Sequence, residues 1–200
     1  MLGRATAQVL LDRGDDVTVL QRRPAGLRCT EVLGDIADPA TVRRAARGHD
    51  AVVHLAAKVD VVGPWDEYAR VNIRGTRNVI NACQSGDVGR LVHVSSPSVA
   101  HAGPALAGVG AEPADPDTAR GNYSRSKAVA EQEALAADSP GLAVLVVRPH
   151  LVWGPGDTQL VARIVARARA RRLPVLGSGA ALIDTTYVDN AATALAAAVS

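Results

Sequence analysis

Ala51-Val52-Val53-His54-Leu55 is a short apolar run, residues 67–84 carry a helical pattern, and Leu91-Val92-His93-Val94 is a second short run. Four or five apolar residues suit a strand and are too few for a helix. Two strands joined through a helix lie parallel, and a parallel strand buried on both faces reads as a nearly continuous apolar run. The same unit repeats outward. Residues 16–20 (with Val17, Val19 and Leu20), 31–33 and 142–147 read as further strands, and residues 4–12, 39–46, 123–137, 158–171 and 191–199 as further helices. The stretch 102–120, rich in Gly and Pro, fits neither period and is expected as a loop on the active-site side.

Five strands in this rhythm predict an α/β fold, a doubly wound parallel sheet of the Rossmann-like kind. Such a sheet should open with a strand and a glycine-rich turn. Here the chain enters a helix at once, at Met1-Leu2-Gly3-Arg4, so the first strand is expected to be missing and Gly3 to be the last glycine of that turn. Gly3 could equally serve only to start a helix tightly. Both ends are expected to be truncated relative to a complete enzyme. One dinucleotide-binding domain is expected over 1–200, with the start of a C-terminal substrate region from about residue 154.

Composition narrows the function. The chain has 200 residues, 48% of them hydrophobic but only 2% aromatic, with no Phe, so the core must be built from Ala, Val, Leu and Ile. A net charge of +2 offers no reason to invoke nucleic acid, and no apolar run reaches the length of a membrane span. Cys29 and Cys83 stand alone and without metal-ligand spacing, which reads as reduced thiols of a cytoplasmic protein. No metal is expected.

Two lysines stand against twenty arginines, and one of them closes Tyr123-Ser124-Arg125-Ser126-Lys127. A position that keeps Lys under such a bias needs a compact ammonium whose pKa can move. Residues four apart share a helix face. An ammonium beside a phenol favours the phenolate, which suits an acid/base for carbonyl–alcohol interconversion. The bland alternative is two side chains packing idly on a helix.

The remaining motifs raise the odds of chemistry. In order they are Gly34-Asp35-Ile36, His54-Leu55-Ala56-Ala57, Val71-Asn72-Ile73-Arg74-Gly75-Thr76, Val94-Ser95-Ser96, Arg148-Pro149, Gly154-Pro155-Gly156-Asp157 and Tyr187-Val188-Asp189-Asn190. Together with the Tyr123/Lys127 pair, their sequence and spacing resemble the extended short-chain dehydrogenase/reductases, which include NAD-dependent epimerase/dehydratases and 3β-hydroxysteroid dehydrogenases. The stretches 95–99, 148–157 and 182–190 resemble the 3β-hydroxysteroid dehydrogenase branch most, with its sterol-4α-carboxylate 3-dehydrogenases and bacterial 2-alkyl-3-oxoalkanoate reductases.

The resemblance implies hydride exchange at a secondary alcohol or ketone on a small apolar substrate. It implies Ser96, Tyr123, Lys127 and Asn72 as catalytic residues, with Ser95 and Ser98 as bystanders. It also implies cofactor contacts from Gly3, Asp35, Ile36, Leu55, Ala56, Ala57, Tyr123, Lys127, Pro149 and Val152. Family members often dimerise through the helix carrying Tyr123, so a homodimer is allowed. NAD-dependent members usually carry an acidic residue after the second strand. Here Gln21-Arg22-Arg23 follows Leu20, and Arg22 could pair with a 2′-phosphate, which favours NADP over NAD. Sugar-nucleotide epimerases or dehydratases, and an inactive dinucleotide-binding relative, are the competing readings.

Other features read blandly. Lys58 could face a phosphate or substrate, or be a solvated loop charge. Arg163, Arg167, Arg169, Arg171 and Arg172 suit a solvated helix face. Trp65 and Trp153 suit either a substrate pocket or the core. Of the five histidines, only His150 is expected near the active site.

Overall fold

A computed structural model of the chain describes residues 1–60, 62–101, 103, 108–158, 161–175, 177–180 and 182–200. Positions 102 and 104–107 of the expected active-site loop, and 159–160 of the expected helix 158–171, lie outside the described residues.

Helix α1 (Leu2–Arg13) buries Thr6 and Ala7 and stops at Gly14, whose left-handed backbone (φ 94°) sends its N–H back to the carbonyls of Leu10 and Leu11. Strands β1 (Thr18–Gln21) and β2 (Thr30–Leu33) follow and pair in parallel. Helix α2 (Pro39–Ala46) is started by Asp38, whose carboxylate accepts from the N–H groups of Ala40 and Thr41. Strand β3 (Ala51–His54) comes next.

The single helix expected over 67–84 is instead three joined pieces. α3 (Trp65–Tyr68) runs into a widened π turn (Ala69–Arg74) and then α4 (Gly75–Ser85). The widened turn carries Asn72, and such turns re-aim side chains at functional positions. Gly75 follows because α4 crosses the loop after β2 closely: a Cβ there would stand 2.9 Å from Ile36 Cγ2.

β4 (Arg90–Val94), α5 (Gly121–Ala136) and β5 (Ala143–Val147) complete the central unit, and β3, β4 and β5 form a parallel sheet in that order. The chain ends through β6 (Val152–Trp153), α6 (Val161–Arg169), β7 (Thr186–Tyr187) and α7 (Val188–Ala198). The five expected strands are all present within two residues of their expected ends. The parallel pair β6–β7 was not legible, because two-residue strands carry no period.

The core joins Val42 and Ala46 of α2 to Val79, Ile80 and Cys83 of α4, with Leu91 and Leu142 beneath. α2 packs on α4, α4 on α5, and α1 on α7. Small side chains make this closeness possible: Ala128, Ala130 and Ala134 of α5 are fully buried. No helix among the described residues is long and apolar enough to cross a membrane.

The sheet comes in two halves, β1–β2 and β3–β4–β5. Among the described residues, neither β1 nor β3 has a strand on its other side. A cavity of about 830 Å³ is lined by every residue from Asp15 to Gln21 and from Asp50 to Ala56. Successive strand residues point to opposite faces, so consecutive lining means that the cavity meets two strand edges.

Candidate active site

Ser96 stands two residues past β4, beyond the carboxyl end of its strand, where open α/β sheets bind ligands. Its Oγ caps the short 3₁₀ turn Pro97–Ala100, accepting from Ser98 N–H at 3.3 Å, and lies 3.0 Å from Ser98 Oγ. Ser96 also acts on the Tyr123 phenol, favouring its ionised form. Ser98 thus touches Ser96. Ser95 Oγ is buried away with no partner among the described residues.

Tyr123 and Lys127 occupy successive turns of α5, Tyr123 half-buried and Lys127 buried. The structure corrects one expectation here. Tyr123 is raised above the usual phenol range, first by burial, with Ser96 opposing. The Lys127 ammonium is committed elsewhere: it donates to the Val94 carbonyl at 2.7 Å and lies 3.3 Å from His93 Nε2. Burial pulls Lys127 down to about 8, with Glu131 opposing.

Asn72 is buried in the widened turn and joins three elements. Its Oδ1 accepts from Lys58 N–H at 2.7 Å, and its Nδ2 donates to the Lys58 carbonyl at 3.1 Å and to Ser126 Oγ at 2.9 Å. Ser126 Oγ in turn donates to the Tyr123 carbonyl at 2.8 Å. Asn72 therefore ties the segment after β3 to the helix that carries Tyr123.

His93 and His54 were missed. Both are buried and stand beside Lys127 and each other, whereas His150 is half-exposed and 3.9 Å from Asp184. The expectation that only His150 sits near the site is therefore corrected. The legible signal was a polar residue inside each of two apolar runs. What made the pair is strand register, which aligns His54 with His93.

The expected cofactor residues divide. Gly3, Ile36, Leu55 and Ala56 all line the cavity between β1 and β3, as does Gln21. Nothing stands within 4 Å of where a Cβ would sit on Gly3. Gln21 Nε2 is buried without a partner among the described residues, a donor left over at the end of β1. Asp35 lies beyond. Its carboxylate is held low by the Ala37 N–H and by Arg70, 2.9 Å away, with Arg22 adding a weaker pull. Arg22 is exposed. Ala57, Pro149 and Val152 are half-buried outside the cavity lining. An unpaired buried donor, open space at Gly3 and small residues at the end of β3 fit a nucleotide.

Lys58 is half-buried and paired with two carboxylates. It bridges Asp60 at 2.7 Å and Glu67 at 2.8 Å, and those two carboxylates hold it above the ordinary lysine range. Trp65 stacks under Arg125 at 5.0 Å, and Trp153 meets Tyr187 edge-on at 5.2 Å. α6 buries none of its described side chains, so its arginines are solvated.

Residues 11–200 match the 3-beta hydroxysteroid dehydrogenase/isomerase family. The chain is 44% identical over 200 residues to a 2-alkyl-3-oxoalkanoate reductase of Stenotrophomonas maltophilia, across 96% of this chain and 60% of the relative. It is 38% identical to the enzyme of that name from Shewanella oneidensis, across 96% of this chain and 52% of the relative. It is 32% identical to a 3-beta-hydroxysteroid dehydrogenase of Mycolicibacterium neoaurum, across 94% and 55%. The chain thus spans little more than half the length of these relatives. Among solved structures, the Bordetella bronchiseptica enzyme WbmH in complex with NAD+ superposes with a TM-score of 0.83 at 27% identity, over 100% of this chain and 68% of that one. The Streptomyces venezuelae dTDP-glucose 4,6-dehydratase DesIV with NAD bound gives 0.82 at 26% identity, over 98% and 67%.

Proposed function

Because the chain belongs to the 3-beta hydroxysteroid dehydrogenase/isomerase family, we propose that it serves an NAD(P)-dependent oxidoreductase that interconverts a secondary alcohol and a ketone on an apolar substrate. The observation that carries this reading is that Ser96, just past β4, acts on the Tyr123 phenol, with Lys127 one helical turn away. The substrate class is a 2-alkyl-3-oxoalkanoate or a 3β-hydroxysteroid, the former being the chemistry named for the relative at 44% identity. Residues from about 154 onward are the start of the substrate region, and exposed apolar side chains such as Ile164, Leu173 and Val175 suit that role.

A bound nicotinamide dinucleotide would supply the hydride chemistry. Gly3, Gln21, Ile36, Leu55 and Ala56 would hold its nucleotide part, and Arg22 would meet a 2′-phosphate, so NADP is preferred. Proton handling falls to the chain. Burial keeps Tyr123 in its phenol form, ready to donate to the oxygen of a ketone. Ser96 steadies that oxygen as its charge grows. Lys127 supplies the ammonium of the pair, one helical turn from the phenol. Asn72 anchors the segment after β3 to α5, so the cofactor side and the proton side keep their spacing.

The test uses the full chain, with NADPH or NADH, on a 2-alkyl-3-oxoalkanoic acid and on a 3β-hydroxysteroid. Tyr123→Phe should lose roughly a hundredfold or more in turnover while keeping its dinucleotide affinity. Equal turnover by the Phe variant removes Tyr123 from the mechanism. Dinucleotide binding without turnover of any alcohol or ketone supports an inactive binding relative. Turnover of a nucleoside-diphosphate sugar alone supports the sugar-nucleotide reading, which the resemblance to DesIV favours.

A further inference from the structure

Strand register sets His54 of β3 beside His93 of β4, so both side chains leave the sheet on one face. Their rings stand 5.3 Å apart and tilted by 52°, and both are buried. α5 lays Lys127 on the same face, with Nζ 3.3 Å from His93 Nε2 and 2.7 Å from the Val94 carbonyl. Three basic groups from three elements share a spot that Val or Leu could fill without desolvating any polar group. Such an arrangement is costly unless the groups hold one another in a useful state.

The hydrogen bonds assign the protons. An ammonium has three N–H donors and no acceptor. Lys127 therefore donates to the Val94 carbonyl and to His93, whose Nε2 must offer a lone pair. His93 is then the Nδ1–H tautomer, and that buried Nδ1 has no partner among the described residues. Thr76 Oγ1 spends its one proton on the Asn72 carbonyl at 2.6 Å, so His54 Nε2, 2.9 Å from that oxygen, must be a donor. His54 is the Nε2–H tautomer. Both rings are neutral, in keeping with burial and the Lys127 charge, which push both histidines below the ordinary range. The other titratable groups facing Lys127 are Tyr123, one turn back, and Glu131, one turn on, which Arg148 holds.

We propose that His93 is the positioning residue for Lys127: its Nε2 lone pair and the Val94 carbonyl together hold the ammonium in one place, one helical turn from Tyr123, leaving a single N–H for the reaction. A carbonyl alone would hold Nζ from one direction only, whereas two acceptors pin its position from two. This assignment rests on Tyr123 and Lys127 being the reaction centre, but the contact itself can be read without turnover.

The chain's two lysines make the experiment clean. Lysine labelled with ¹³C at Cε gives two signals, with Lys58 as the internal control. In the parent, Lys127 should titrate well below Lys58. His93→Leu removes the acceptor, so the Lys127 midpoint should fall by about one pH unit while Lys58 stays put. His93→Gln keeps an acceptor and should restore most of the midpoint. An unchanged Lys127 midpoint in a folded His93→Leu variant would overturn the proposal. Imidazole ¹⁵N shifts of the unmodified protein give a second reading if the Leu variant does not fold. His93 should be the Nδ1–H tautomer and stay neutral down to pH 5. A protonated Nε2 on His93 would sink the assignment. These readouts need no substrate. Wild-type turnover by Tyr123→Phe would remove the reaction-centre reading while leaving the Lys127–His93 contact measurable.

Discussion

At the residue scale, the chain places unusual polar groups in its interior. His54 is driven down to about 3 by burial, with Lys127 adding repulsion, and His93 is driven down by burial, Lys127 and His54. The unfolded value is about 6.5. A depressed histidine means that the native state binds fewer protons than the unfolded chain. Its contribution to stability is complete above about pH 6.5 and is lost progressively as the pH falls below it. Urea unfolding should therefore show lower stability at pH 5 than at pH 7.5, and His54→Gln should flatten that slope. A parent slope equal to the variant's would show that His54 does not set it. Arg22 carries the other residue-scale expectation. It is exposed and close enough to act on Asp35. Arg22→Ala should weaken NADPH about five- to tenfold and leave NADH unchanged, a modest effect because solvent screens an exposed contact. Titration of both dinucleotides decides it, and equal losses for the two would end the NADP preference.

Elements are held in place by a few specific ties. Arg148, just past β5, forms a two-pronged pair with Glu131 of α5 and also donates to the Glu112 carbonyl at 2.7 Å. Glu131 is only 1% exposed, so its charge has nowhere else to go. Removing one partner of a buried pair leaves an uncompensated charge. Arg148→Ala should cost about 3–5 kcal/mol in urea unfolding. A loss below about 1 kcal/mol would mean that water reaches Glu131 and that the tie is weak. Arg148 and Glu131 were both visible in the sequence, Arg148 as part of Arg148-Pro149. Their pairing was not, since seventeen residues and a change of element separate them. Asn72 shows the same limit. Its motif was readable, but its bonds to Lys58 and Ser126 depend on the widened turn that breaks the expected 67–84 helix.

At the scale of the whole molecule, the two half-sheets and the cavity between them dominate. The edges of β1 and β3 lack strand partners among the described residues, and unpaired edges template association between chains. Light scattering should show an average mass that climbs with protein concentration. A sharp monomer at high concentration would mean that the edges are closed to other chains. Dinucleotide bound in the cavity should shift the balance toward monomer, because a ligand that binds only the separate folded chain stabilises that chain.

The sequence by itself determined the fold class, the order and extent of the five main strands, and the motifs Ser96, Asn72 and Tyr123/Lys127. The fold and the Tyr123/Lys127 pair rest on a local period or a short spacing, which a helix turns into a shared face, whereas Ser96 and Asn72 come from the family resemblance. Only the tertiary structure decided what these residues touch. The alignment of His54 with His93 is set by the pairing of β3 and β4, whose strands are far apart in the chain. The commitment of Lys127 to Val94 and His93 follows from how α5 lies on that sheet. Burial then raises Tyr123 and lowers Lys127, where the bare pair suggested a phenol made acidic by its neighbour. Hydrogen bonding and desolvation depend on neighbours in space, and register and packing supply those neighbours.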